Sequence, residues 1–105
     1  MLHKTLAEGR WFSLSLAEQL GNIGSEYDRL IKAKAQGNHD RQESALDRFL
    51  ELMDLTLADE RWAGIRRREL ARLREQSLAE LEDGSLASNL SKYYLQFAIA
   101  ARAKY

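Results

Sequence analysis

The stretch SLAEQLGNIGSEYDRLIKAKAQG, residues 15–37, decides how this chain folds. Leu16, Leu20, Ile23, Tyr27, Leu30 and Ile31 recur every three or four residues and form one apolar stripe, the period of an amphipathic helix. Ser15 and Glu18 have the spacing of a capping box, and Gly37 is a natural helix stop. Lys34 continues the stripe, and its stem can lie along the apolar face while its charge stays in water. Gly21 and Gly24 interrupt this reading, since each costs about 1 kcal/mol against alanine inside a helix. Either the helix breaks there or another backbone comes close. On a helical wheel Ala17, Gly21, Gly24 and Ala35 fall together on the flank beside the large apolar residues, and small side chains on one flank admit a second helix. The packing reading is favoured, with Gly21 and Gly24 assigned to a subunit contact. GNIG also matches the G-x-x-G loop of a KH domain, but that fold needs strands.

No strand is expected anywhere in the 105 residues. Valine is absent, only four isoleucines and two threonines occur, and Leu, Ala, Glu, Arg and Gln dominate, which favours helix. A second helix is predicted to start near Asp40, capped by DRQE through Glu43, and to end around Asp59. Its inward stripe is Leu46, Phe49, Leu50, Met53 and Leu57, with Leu55 outward. A third covers about 64–82, with Trp62 and Ile65 at its start and Leu70, Leu73, Leu78 and Leu81 inward. EDGS makes the next turn. A fourth runs from about Leu86 to Lys104 with Leu86, Leu90, Tyr93, Tyr94, Phe97 and Ala101 inward. Short links between long helices favour antiparallel neighbours. The predicted fold is all-α, an antiparallel up-down-up-down four-helix bundle over residues 13–105. Residues 1–12 form an N-terminal arm, pinned to the bundle by Trp11 and Phe12. Leu95 and Ile99 lie opposite the core face of the fourth helix, and together with the glycine flank they predict a homo-oligomer.

Several function classes find no support. Cysteine is absent, so no thiolate nucleophile or Cys-ligated metal can exist, and a reducing cytoplasm fits. The beginning lacks a signal-peptide core. The longest apolar run, YYLQFAIAA, is far below the ~20 residues of a membrane span. His3 and His39 are the only histidines. His39 beside Asp40 could bind a metal or move a proton, but a turn histidine is more often simply solvated, and no third partner is within sequence reach. Neither histidine has an arginine at the spacing of HEPN-type ribonucleases, and no inward Glu-x-x-His pair, Ser/His/Asp set or phosphate loop occurs. The chain is therefore read as no enzyme, with no catalytic, cofactor or metal residues.

Charge is balanced overall, 16 against 16, but unevenly placed. Residues 38–60 carry a net −5, and residues 61–75, with six arginines, carry +4. Arg61, Arg66, Arg67, Arg68, Arg72 and Arg74 form either a phosphate-contacting patch or a set of partners for the acids of the second helix, Asp47, Glu51, Asp54, Asp59 and Glu60. Arg66 and Arg74 fall near the apolar stripe, whereas Arg68 and Arg72 point outward. Arg61, Arg67, Arg68 and Arg72 are the residues assigned to nucleic-acid or partner contact.

A short four-helix chain with a glycine-bearing first helix and an arginine-rich third helix resembles the Avd / 23S rRNA-intervening-sequence four-helix-bundle superfamily over residues 13–104. That resemblance implies ring-shaped oligomers, typically pentamers, and a role as an accessory factor to the reverse transcriptase of a diversity-generating retroelement, associated with RNA or DNA. The alternative is a protein-interaction adaptor that takes a partner helix on the Leu95/Ile99 surface without nucleic acid.

Overall fold

The computed structural model describes residues 9–83 and 89–103. Four long helices pack together, α1 (Leu16–Ala35), α2 (His39–Ala58), α3 (Ile65–Glu82) and α4 (Asn89–Ala103), and no strand occurs among the described residues. Trp11–Ser13 forms a single helical turn before α1, and Glu60–Trp62 a 3₁₀ turn before α3. The expected arm falls mostly on residues 1–8, which lie outside the described residues, as do Leu86, Lys104 and the Gly84–Ser85 part of the EDGS turn.

Helix α1 begins and ends as its residues dictate. Ser15 Oγ accepts from the Glu18 amide at 3.1 Å and Glu18 Oε1 accepts from the Ser15 amide at 3.0 Å. At the other end Gly37 adopts φ +67°, the Gly37 amide donates to the Lys34 carbonyl at 3.1 Å, and the Asn38 amide donates to the Ala33 carbonyl at 2.9 Å. This pair of bonds is a Schellman stop. Asn38 then caps the next helix at once, its side chain accepting from the Arg41 amide at 3.1 Å. The DRQE box is thus not used. Helix α2 is capped at Asn38, two residues before the expected cap Asp40, because Gly37–Asn38 alone completes the reversal.

Helix α1 is the centre of the molecule, with α2 on one side and α4 on another. Leu20, Ile23, Tyr27 and Leu30 are buried as the stripe predicts, and Leu16 and Ile31 are half-buried at its margins. The α2 stripe is turned from its expected position. Ala45, Phe49, Leu52, Met53 and Thr56 are buried, whereas Leu46, Leu50 and Leu57 are only half-buried. Trp11 meets this shifted face. Its indole, buried at the start of the turn that precedes α1, donates to Thr56 Oγ1 at 3.1 Å while Thr56 donates to the Leu52 carbonyl at 2.8 Å. The bonded hydroxyl can therefore sit in the core without penalty. Leu55, expected outward, is half-buried against the same cluster.

Helix α3 buries Leu70, Leu73 and Ser77, with Leu78 and Leu81 half-buried. It is tied to α1 by polar contacts. Tyr27 Oη donates to Glu80 Oε1 at 2.6 Å, and Lys34 Nζ donates to the Leu81 carbonyl. Helix α4 inserts Tyr94, whose ring meets Tyr27 at 5.4 Å and Phe49 at 6.4 Å between centroids and whose hydroxyl shares a 2.7 Å hydrogen bond with Ser77 Oγ. Burial pushes the Tyr94 phenol pKa well above its usual value, the Ser77 bond offsetting only part of that. Tyr93, expected inward, is 42% exposed, because the aromatic seat facing α1 is filled by its neighbour Tyr94.

Candidate nucleic-acid interface

The two small residues on the flank of α1 are occupied from within the chain. A Cβ on Gly24 would stand 2.4 Å from Tyr94 Cβ, and a Cβ on Gly21 would stand 3.0 Å from Ala98 Cα. Helix α4 is the backbone for which the glycines make room, and the helix does not break there. The reading of Gly21 and Gly24 as a subunit contact is corrected accordingly, since both are buried against α4 of their own chain.

The arginines of residues 61–74 divide into two groups around the turn that joins α2 to α3. Asp59 ends α2 and is buried. Its Oδ1 accepts from the Arg61 amide at 3.1 Å and from Arg61 Nε at 3.0 Å, and its Oδ2 accepts from Arg61 Nη2 at 2.7 Å and Gln19 Nε2 at 3.1 Å. Arg61 Nη2 also donates to the Leu14 carbonyl at 2.7 Å, and its guanidinium lies 4.5 Å over the Trp62 ring. The hydrogen bonds from the Arg61 guanidinium hold the Asp59 carboxyl below the usual carboxylate range. Burial opposes them, and the Gln19 amide adds to the lowering. Arg61 is raised in turn, chiefly by the same bond.

Gln19, fully buried, is the hinge of this network. Its Nε2 also donates to the Trp11 carbonyl at 3.0 Å, and its Oε1 accepts from Trp62 Nε1 at 2.8 Å. Every hydrogen-bonding direction of the amide has a partner except a second lone pair, which is how a buried glutamine is tolerated. Two segments distant in sequence, residues 11–19 and 56–62, are thereby locked together.

Arg61 and Arg67 were expected on a partner surface and are used internally instead. Arg61 serves Asp59 and Leu14, and Arg67 is half-buried, with Nη2 donating to the Asp59 carbonyl at 3.3 Å. Its Nε is buried and has no hydrogen-bond partner among the described residues. Arg74 pairs with Asp54 at 3.1 Å and with Glu75 at 3.5 Å. The acids of α2 thus absorb part of the cluster. Arg66, Arg68 and Arg72 stay exposed. Arg68 and Arg72 are one helical turn apart on the same face, and neither makes an ion pair among the described residues.

Leu95 and Ile99 are 52% and 55% exposed, one turn apart on α4. Ile65 is 74% exposed at the start of α3. His39 is exposed as the first residue of α2, and His3 lies outside the described residues. Among the described residues no group of three or more His, Asp or Glu side chains is placed to hold a metal ion, and no helix is long and apolar enough to cross a membrane.

Sequence reasoning missed Gln19, Thr56 and Ser77 as core polar residues. Gln19 carried a signal, because it lies on the wheel among Leu16, Leu20 and Ile23. Ser77 carried the same signal, four residues from both Leu73 and Leu81, and so did Thr56, three and seven residues after Met53 and Phe49. Each hydroxyl is satisfied by a carbonyl of its own helix, Leu73 and Leu52 respectively. No family model, curated protein or solved structure matches this chain.

Proposed function

We propose that this chain is a non-catalytic helical accessory protein that associates with nucleic acid through Arg68 and Arg72. The observation that carries this reading is the division of the cluster. The fold uses Arg61, Arg67 and Arg74, while Arg68 and Arg72 stand on one exposed face with no ion pair among the described residues. Arginine presents a planar fork suited to phosphate. The resemblance to the Avd superfamily supports the same direction, with a cytoplasmic accessory role beside a reverse transcriptase. Filter binding of single-stranded RNA and DNA across a salt series tests it. Binding should fall steeply with salt, because phosphate contacts release counterions. Arg68→Glu with Arg72→Glu should weaken it by about tenfold or more, as two charge-assisted contacts are reversed. Unchanged binding in that variant would overturn the assignment.

The up-down-up-down order belongs to the same proposal. Gly21 faces Ala98 and Gly24 faces Tyr94, so residue numbers run oppositely along α1 and α4. Leu16 and Leu20 share a cleft with Arg66, Leu70 and Leu73, whereas Tyr27 meets Glu80, so residue numbers rise together along α1 and α3. Both senses are those of an alternating bundle.

A second reading is favoured by the apolar face of α4. Leu95 and Ile99 are large apolar groups left in water. We propose that they form the homo-oligomer contact or, in the adaptor alternative, the seat of a partner helix. Light scattering coupled to size exclusion should give an assembly larger than the 12.1 kDa chain. Leu95→Glu should return it to the monomer with its helical content intact. A variant that unfolds instead would place Leu95 in the core and remove this surface.

A further inference from the structure

Four cations converge on a groove that the arginine cluster of α3 does not touch. The groove lies between α1 and the first half of α2 and has a volume of about 480 Å³, within the range of small-ligand sites. Arg29 and Lys32 stand on the α1 wall, Arg41 and Arg48 on the α2 wall, and no carboxylate lines it. Its floor is made by Ala33 and Ala45, both buried. Two alanines facing each other leave the space that larger side chains would fill. Gln36 and Ser44 add neutral hydrogen-bonding groups to the rim. Arg41 and Arg48 are seven residues apart, so the basic walls run for about 10 Å at the rise of a helix.

The charges are not spent on the fold. Arg29 pairs with Glu26 at 2.8 Å, yet its side chain remains 64% exposed. The side chains of Lys32, Arg41 and Arg48 make no ion pair among the described residues. Glu26, outside the lining, is the acid that pairs with one of the four cations. Its Oε1 is taken by Arg29, and its Oε2 is buried without a hydrogen-bond partner, so it holds one cation at the edge and leaves the others free. Arg41 is placed against its helix. A cation in the first turn meets the positive end of the helix dipole, an unfavourable position that a bound anion reverses. Lys32, in the last turn of α1, suits its own dipole and needs no such account.

We propose that this groove binds an anion carrying several phosphate groups. One such group would sit between Arg41 and Lys32, and a second toward Arg48 and Arg29. No aromatic side chain lines the groove, so recognition is of the phosphates and not of a stacked base. The chemistry is shared by a phosphodiester backbone and by a free polyphosphate. This site is independent of Arg68 and Arg72.

Titration calorimetry of the full chain with inorganic tripolyphosphate at low salt tests the proposal. One saturable site per chain is expected. Arg41→Gln with Lys32→Gln, both exposed positions, should weaken it about tenfold or more, as two charge-assisted contacts are lost. Arg48→Gln alone serves as a second variant within the groove. Arg68→Gln with Arg72→Gln removes the same charge from α3 and should leave tripolyphosphate binding unchanged. Absence of a saturable isotherm, or equal weakening by the α3 pair, would overturn the site. The latter would mean a diffuse field and no groove. Competition then identifies the source. Displacement of tripolyphosphate by a single-stranded oligoribonucleotide supports a nucleic-acid backbone in the groove, and failure to displace it supports a small polyphosphate. Loss of oligonucleotide binding in the α3 variant with tripolyphosphate binding intact would separate this site from the interface proposed on α3.

Discussion

Gly24→Ala is expected to destabilise the protein by about 2 kcal/mol or more, although alanine is the better helix former by about 1 kcal/mol. The sign is decided at α4. The added methyl would stand 2.4 Å from Tyr94 Cβ and 3.2 Å from Tyr94 Cγ. A Cβ atom is fixed to the backbone and cannot rotate away, so relief requires α4 to retreat by about an ångström. Tyr94 cannot follow without loss. Its ring is packed between Tyr27 and Phe49, and its hydroxyl is bonded to Ser77. Overpacking in a core costs about 1–3 kcal/mol and occasionally more, and this contact has no flexible end to absorb it. For a domain of this size the thermal midpoint should drop by roughly 10 °C, read by far-UV circular dichroism. Gly21→Ala is the internal comparison. Its Cβ would meet Ala98 Cα at 3.0 Å and Ala98 Cβ at 3.3 Å, so a shift of a few tenths of an ångström relieves it. Its effect should be clearly smaller. Equal or greater stability in Gly24→Ala would mean that α4 does not lie on α1 as described.

That glycine pair also marks where the sequence was legible and where it was not. The stripe from Leu20 to Leu30, the Ser15 cap and the Gly37 stop follow from local chemistry, because each depends on residues within one or two turns. The small flank was equally readable as a place where a backbone comes close. Whose backbone could not be read, since spacing within one helix carries no information on whether the neighbour is α4 or a second copy. The α2 stripe was misplaced for a related reason. Its core face includes Thr56, which bonds Trp11 45 residues away, and a wheel drawn on α2 alone cannot include that partner. The arginines show the same limit. Six of them in fifteen residues announce a basic segment, but their division between structure and surface depends on Asp59, Gln19 and the Leu14 carbonyl, which meet only when the chain is folded. Arg68 and Arg72 were legible as outward because nothing distant claims them. The groove between α1 and α2 left no mark in the sequence. Its four cations come from two segments, each of which reads as an ordinary solvated face.

Removing the Asp59 carboxylate should have the second large effect, about 2 kcal/mol for Asp59→Ala, because a turn cap and charge-assisted hydrogen bonds to Arg61, whose side chain is 40% exposed, are lost together. Arg61 would lose its carboxylate, Gln19 Nε2 one of its two acceptors, and the 3₁₀ turn before α3 its cap at the Arg61 amide. Trp62 and Trp11 are bonded through Gln19, so the change should also alter indole fluorescence, which a loss confined to the surface would not. Asp59→Asn isolates the charge, because it keeps the size and part of the hydrogen bonding. The pH dependence has a definite sign. The carboxyl lies lower in the folded chain than its ordinary value of 3.8, so the unfolded chain binds the proton more readily. The stability from this group is complete above that ordinary value. It is lost as the pH falls through the lower folded value. The free-energy difference between wild type and Asp59→Asn, measured by urea unfolding, should therefore be constant from neutral pH down to about pH 4 and shrink below it. The other carboxylates titrate in both proteins and cancel in the difference. A difference that stays constant into strong acid would show that Asp59 makes no charge-dependent contribution in the fold. Arg61 would then be free for the partner surface from which the Asp59 network removes it.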